Sequence, residues 1–388
     1  MSFLRNIWNI TKRETAMIAR DHSLLLTLLI APIVYAFFYG SIYINKEETE
    51  VKLAVIDADR SSLSRLLTEQ LNNTQTIDVI SAASVEDAQE LMNDGYCQGY
   101  LYLKKGMEKK VLSLHQSKAL LALNVGRFLP SSDILSAVTE VSLTVSAGVR
   151  LQYFQKNGMT EAIAMRETMP VSLDYRPLYN ERSSYGAFLL PGLLMLILQQ
   201  TLLIGLACSF AGEREKNTLP ELLQLSNHYY SLAVWGKGFF YFILFGCYAF
   251  FFLNVNFTVL HLPNRGNEWQ LTLLLMLFIC CLISFGTWLG SLFSTQLIAA
   301  QIMTFTTYPI FLITGYVWPF ESLPTAIQWL SALLPTTPFL KVYLSIVQQG
   351  GSLTENGPAI LHLIILWFLY STLATVRIRG LSKKLSCV

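Results

Sequence analysis

Apolar residues crowd into six long runs: Leu24–Ile44, Tyr185–Ala211, Gly238–Leu260, Leu271–Phe293, Leu297–Val317 and Ala359–Val376. A stretch of about 18 or more apolar residues without charges is a candidate transmembrane helix. The pattern therefore predicts a polytopic α-helical membrane protein with six transmembrane helices, the first over residues 23–44 and the others within 185–377. Residues 45–184 interrupt the series with a polar region of domain size. Its start alternates between strand and helix. Lys52–Ile56, Thr76–Ile80 and Gly99–Leu103 are β-rich. Ser61–Leu71 places Leu63, Leu66, Leu67 and Leu71 at helical spacing, and Val85–Met92 reads as a helix behind an N-cap Ser84, with Asp87 as a partial capping box. Such alternation predicts an inserted α/β domain. Ser132–Lys156 reads as mainly helical, a stalk returning toward the membrane.

The first 22 residues form a further pattern. Phe3, Leu4, Ile7, Trp8, Met17 and Ile18 recur at helical spacing, with Arg5, Lys12 and Arg13 off that stripe. This predicts a helix lying in the membrane surface; the alternative is a basic flank that happens to be helical. Because Lys and Arg favour the cytoplasmic side, Arg5, Lys12, Arg13 and Arg20 before the first run, and Arg377, Arg379, Lys383 and Lys384 after the last, predict both termini inside. The tail 378–388 and the loop 212–237 then lie in the cytoplasm, and residues 45–184 lie outside, as expected for a bacterial inner-membrane protein.

Composition sharpens this reading. The 388 residues are 53% hydrophobic and 14% charged, against about 25% charged for a soluble domain. The formal net charge of +2 gives no basic surface for nucleic acid. The histidines are scattered without metal-ligand spacing. Cys97 alone falls in the polar region, so no disulfide is expected within it; Cys387 in the tail likewise has no evident chemistry. No G-x-x-x-x-G-K-[ST] phosphate loop occurs, so this chain is not expected to hydrolyse ATP alone, and no cofactor is expected in it. The apolar runs hold no Asp, Glu, Lys or Arg, and His362 is their one ionisable side chain. That argues against an ion-coupled transporter and against a membrane hydrolase, which needs a nucleophile and a base.

The loop Gly212–Leu225 (GEREKNTLPELLQL) carries the sharpest chemistry. Leu219, Leu222 and Leu223 share a face that suits a groove in a partner. Glu213, Arg214, Glu215 and Glu221 can fix its register through charge-assisted bonds, with Thr218 opening the leucine-bearing turn. The plainer reading is a connecting loop with solvated carboxylates. Within the runs, Gln199, Gln200, Thr304 and Thr307 are polar. Such side chains usually hydrogen-bond between helices; the alternative is that they line a substrate path between two subunits. Gly286 and Gly290 form one G-x-x-x-G pattern, which permits close helix contact.

The loop resembles that of the ABC type-2 exporter permeases, where a Glu-Arg-Glu run precedes Gly-Thr-Leu-Glu and Leu-Leu. Asn217 stands in place of that Gly and Pro220 in place of that Glu. Tyr308–Leu340 resembles the same family's segment after the fifth span through Gly315, Pro319, Glu321, Ser322, Pro324, Trp329, Leu330 and Pro335. Pro191-Gly192 after Tyr179-Asn180 is similar to the start of the family's second span, with Glu181 replacing its Pro, and Val55–Leu67 resembles the start of its external domain. The resemblance implies that the loop docks on a separate ABC ATPase subunit. It implies a re-entrant segment over 318–345 capping the outer gate with Gly315, Pro319, Glu321, Pro324, Trp329 and Pro335. It further implies a second permease subunit, identical or homologous, and in Gram-negative members a periplasmic adaptor and an outer-membrane channel. The competing readings are a membrane receptor or assembly scaffold using the external domain, and a membrane enzyme.

Overall fold

The computed structural model describes residues 2–42, 49–113, 115–169, 178–180, 184–262 and 264–385. Tyr43 and Ile44 of the first apolar run, Glu181 and Cys387 lie outside the described residues. In chain order the helices are α1 (Ser2–Arg20), α2 (His22–Ile42), α3 (Ser62–Asn72), α4 (Val85–Asn93), α5 (Met107–Leu112), α6 (Phe128–Lys156), α7 (Glu161–Thr168), α8 (Tyr185–Glu215), α9 (Leu219–Leu225), α10 (Tyr230–Val259), α11 (Glu268–Gly290), α12 (Gln296–Ile313), α13 (Thr325–Ala332), α14 (Thr336–Gln349) and α15 (Gly357–Leu385). The strands are β1 (Val51–Asp57), β2 (Ile77–Ser81), β3 (Gly99–Leu103) and β4 (Leu120–Leu123). The chain divides into two compact units, Glu47–Arg176 and the remainder.

The smaller unit is built on a sheet of order β2-β1-β3-β4, with β1 parallel to β2 and β3, and β4 antiparallel to β3. Alternation along the strands sorts the side chains. Leu53, Val55, Leu101 and Leu103 join Leu63, Leu67 and Leu71 of α3 and Ile134 and Val138 of α6 on one face. Ala54, Ile56 and Tyr100 join Ala88 of α4 and the buried Cys97 on the other. The Ser61 hydroxyl caps α3 in a capping box with Ser64, and the Ser84 hydroxyl accepts from the Asp87 amide to start α4.

The larger unit is a helical bundle around α8, whose residues from Gly186 to Glu213 are largely buried. Among the described residues, seven helices are long and apolar enough to cross a membrane: α2, α6, α8, α10, α11, α12 and α15. The additional one beyond the six sequence runs is α6, in the smaller unit. Gly290 lets α11 close onto α8: a Cβ there would lie 2.7 Å from the Ala207 Cα. The G-x-x-x-G pattern is thus a contact within the chain. The helices α13 and α14 meet at 85°, with Pro324 and Pro335 as their N-cap residues, where a missing N–H costs nothing. Two π-helical turns, Leu26–Ile30 in α2 and Phe252–Asn256 in α10, break the regular ladder. The Tyr248 hydroxyl lies 2.9 Å from the Leu28 carbonyl and 3.0 Å from that of Leu29, a partner for oxygens that the wider turn displaces.

Candidate functional site

The helix α8 does not end with its apolar run but carries on through Glu213, Arg214 and Glu215. Each of these side chains holds a different element. Glu213 is fully buried and receives the Arg13 guanidinium in a two-pronged pair, Nη1–Oε1 2.5 Å and Nη2–Oε2 2.9 Å. Its Oε1 also takes the Lys237 ammonium at 2.9 Å, and its Oε2 the Thr218 hydroxyl at 2.5 Å. Arg214 donates to the carbonyls of Ser291 and Phe293 at 3.1 and 2.5 Å, capping the end of α11. Glu215 accepts from the Gln296 amide at 2.8 Å, capping the start of α12.

A second carboxylate completes the cluster. Glu14 of α1 is fully buried, and its Oε2 lies 2.5 Å from the Lys237 Nζ. Its Oε1 accepts from the Ser209 hydroxyl at 2.5 Å and lies 3.1 Å from the Tyr241 hydroxyl. Lys237, from the first half of α10, is itself fully buried and sits 5.1 Å from the centre of the Phe210 ring. Two acids, Glu14 and Glu213, face two bases, Arg13 and Lys237, with the exposed Glu221 at the rim. Burial works to lower the Arg13 pKa, but the paired Glu213 outweighs it and holds the guanidinium above its ordinary value. Buried charges of this kind survive only while every partner is present.

The cluster fixes which face of α1 packs on the bundle. Its buried residues are Ile10, Thr11, Glu14 and Ile18, on one face at helical spacing, while Phe3, Leu4 and Trp8 are exposed. That face lies on α10, where the Thr11 hydroxyl is 3.1 Å from the Gly236 carbonyl and the Ile10 side chain fills the space beside Gly236. Arg13, off the apolar stripe, turns inward to Glu213 and reaches Glu221 at 3.4 Å.

The leucine face of the loop is likewise used internally. Leu219, Leu222 and Leu223 of α9 are buried in the core of the larger unit, where α9 packs on α1, α10 and α15. Glu213 and these leucines are therefore not open to a partner. The exposed loop surface consists instead of Glu215, Lys216, Asn217, Pro220, Glu221, Gln224 and Asn227–Tyr229. Asn217 has φ +54, a left-handed conformation that Gly adopts freely and Asn tolerates best among the others. Pro220 sits in the first turn of α9, where it breaks no hydrogen bond.

The remaining predicted residues separate into groups. Gly315 has φ +85 and turns the chain after α12 so that Tyr316 points back into α8. The Tyr316 hydroxyl accepts from the Gly192 amide at 3.1 Å and donates to the Phe188 carbonyl at 2.6 Å. It thereby bridges an i, i+4 pair of α8 beside Pro191. A Cβ on Gly192 would lie 2.5 Å from the Tyr316 ring. The Pro191-Gly192 and Gly315-aromatic motifs thus meet in one contact. Glu321 and Trp329 are exposed, Trp329 at 74%, while Pro319, Pro324 and Pro335 open successive helical turns. Among the polar residues of the apolar runs, Gln199 is buried and accepts from the Thr336 hydroxyl at 2.5 Å, a contact between helices. Gln200 and Thr307 share the Met303 carbonyl at 2.6 and 3.0 Å. Thr304 is exposed.

A bundle of apolar helices that holds a buried ion cluster and a helix pair broken at 85° defines a multi-pass membrane protein. The chain belongs to the ABC-2 family transporter proteins, whose family model it matches over residues 22–376, and is an ABC transporter permease. It is 20% identical to the probable multidrug ABC transporter permease YbhS of Escherichia coli K12, over 98% of this chain and 97% of that one. It is 24% identical to the probable multidrug ABC transporter permease YbhR of the same strain, over 89% and 91%. ABC transporter G family member 20 of Dictyostelium discoideum is 21% identical over 93% of this chain but 49% of its own length.

Proposed function

We propose that this permease is the membrane subunit of an ATP-driven exporter, paired with a second permease subunit and coupled to a separate ABC ATPase that binds ATP and Mg. The ion cluster carries this reading. It fastens the α8–α10 loop, with its exposed face, to α1 and to the base of α10, so a push on the loop moves these helices as one body. Glu213, Arg214 and Glu215 transmit force by holding α1, α11 and α12. Lys216, Pro220, Glu221, Gln224 and His228 form the surface offered to the ATPase. Rocking of such rigid groups is an established route to alternating access. The turn at Gly315–Pro335 caps the outer end, and Gln200, Thr304 and Thr307 border the path between subunits.

In this reading six helices span the bacterial inner membrane, and α6 belongs to the extracytoplasmic unit. Burial supports that assignment, since Ile134 and Val138 of α6 are buried in that unit's core and Val141, Val145 and Val149 pack on it. The exposed Phe3, Leu4 and Trp8 suit α1 to the cytoplasmic membrane surface. A periplasmic adaptor and an outer-membrane channel complete the route, and the multidrug wording of the relatives' names makes apolar drugs the first cargo to test. The reading is tested by co-purifying the chain with ABC ATPases from its own genome. An ATPase should be retained, and Gln224→Glu with His228→Glu should release it while Glu213→Gln does not. Failure of every ATPase to bind would remove the reading.

A further inference from the structure

A cavity of about 530 Å³ opens where the turn after α12, the helix α14 and the first turns of α15 converge. Its size is that of a ligand site. Phe320, Pro338, Leu344 and Pro358 supply apolar wall, and Glu321, Lys341 and His362 supply chargeable groups. Lys341 and Glu321 are exposed and His362 half-buried, and none of them makes a hydrogen bond or ion pair with a described residue. Opposite charges thus line one cavity without neutralising each other. Trp318 and Trp329, 58% and 74% exposed, stand on the same bend. Exposed Trp marks the membrane–water boundary, the level of lipid headgroups.

We propose that this cavity is a binding site for a zwitterionic phospholipid whose headgroup joins a phosphate to a primary ammonium, as in phosphatidylethanolamine. Lys341 and His362, from α14 and α15, hold the phosphate. Glu321 accepts from the ammonium, and an acyl chain lies along Leu344 and Pro338. A purely anionic lipid leaves Glu321 facing the phosphate without a partner. A quaternary ammonium has no N–H to give it.

The full chain in phosphatidylcholine nanodiscs, doped with a photoreactive lipid, tests this. Photoreactive phosphatidylethanolamine should label Thr336–Gln349 and the start of α15 in preference to photoreactive phosphatidylglycerol. Lys341→Gln should lower labelling by both about tenfold, the worth of one charge-assisted hydrogen bond. Glu321→Gln should erase the preference for phosphatidylethanolamine while leaving phosphatidylglycerol labelling intact. Leu344→Trp fills the cavity without changing a charge and should lower both, with the gel-filtration profile unchanged. Excess phosphoethanolamine without acyl chains should not compete. If it did, the zwitterion site would stand with a soluble ligand as its source. Labelling spread evenly around the bundle, equal labelling by the two lipids, or labelling that survives Leu344→Trp would overturn the proposal.

Discussion

Glu213 holds two cations and a hydroxyl with one carboxylate, so its neutralisation leaves Arg13 with only the exposed Glu221 and Lys237 with only Glu14. Removing one partner of a buried pair costs about 3–5 kcal/mol, and Glu213→Ala should lower the thermal midpoint of the detergent-solubilised chain accordingly. The variant Glu14→Gln/Lys237→Met removes one acid and one base together. It should recover much of the loss seen with Lys237→Met alone, a non-additivity readable in the same melting assay. Full additivity would mean that the ion pair at 2.5 Å does not couple the two helices. Tyr316 is the other residue whose polar atom is irreplaceable. Its hydroxyl pairs two backbone groups of α8, and Tyr316→Phe removes both bonds, leaving the Phe188 carbonyl to the Gln348 amide at 3.5 Å, at a cost of about 1–3 kcal/mol. Gly192→Ala, which pushes a methyl into the ring, should destabilise at least as much.

At the scale of elements, the sequence was most legible where periodicity was long. The parallel strands β1, β2 and β3 lie where alternation puts them, because a buried strand must sort its side chains to two faces. The strand β4 went unread: Leu120–Leu123 is too short for a period and pairs only along β3. The ion cluster went unread for a different reason. Apolar runs mark what the hydrocarbon tolerates, not where helices end. Glu213 and Lys237 stand just outside the runs Tyr185–Ala211 and Gly238–Leu260, yet inside the helices Tyr185–Glu215 and Tyr230–Val259. A basic and an acidic residue at the facing ends of successive apolar runs was the available signal. Glu14 was hidden because one helix face can pair apolar residues with a charge when a buried Lys waits opposite. The leucines of α9 were correctly read as one face, but sequence alone does not say whether such a face meets a partner or its own chain. The helix α6 shows the same ambiguity in reverse. It passes as a membrane span by hydropathy, although part of its apolar surface covers a sheet. A cysteine at Glu140, on the exposed side of α6, should react with a membrane-impermeant maleimide in intact spheroplasts. Protection from the reagent until the membrane is dissolved would place α6 in the bilayer.

Taken whole, the molecule ties the α8–α10 loop to the helical bundle through charge, and the apolar contacts of α9 make that joint stiff. Glu14, Glu213 and Lys237 are fully buried, so their pairing resists salt better than a surface pair. In the proposed exporter, motion delivered at Lys216–Glu221 would therefore arrive at α1, α10, α11 and α12 together. The central claim is that this cluster transmits the ATPase cycle. It is tested most directly by the ATP hydrolysis rate of the co-purified permease–ATPase complex in nanodiscs, with Glu213→Gln set against the intact chain. The account predicts that the complex still forms and that its hydrolysis rate departs several-fold from that of the intact complex, toward the rate of the ATPase alone. An unchanged rate from an intact, folded complex would contradict it.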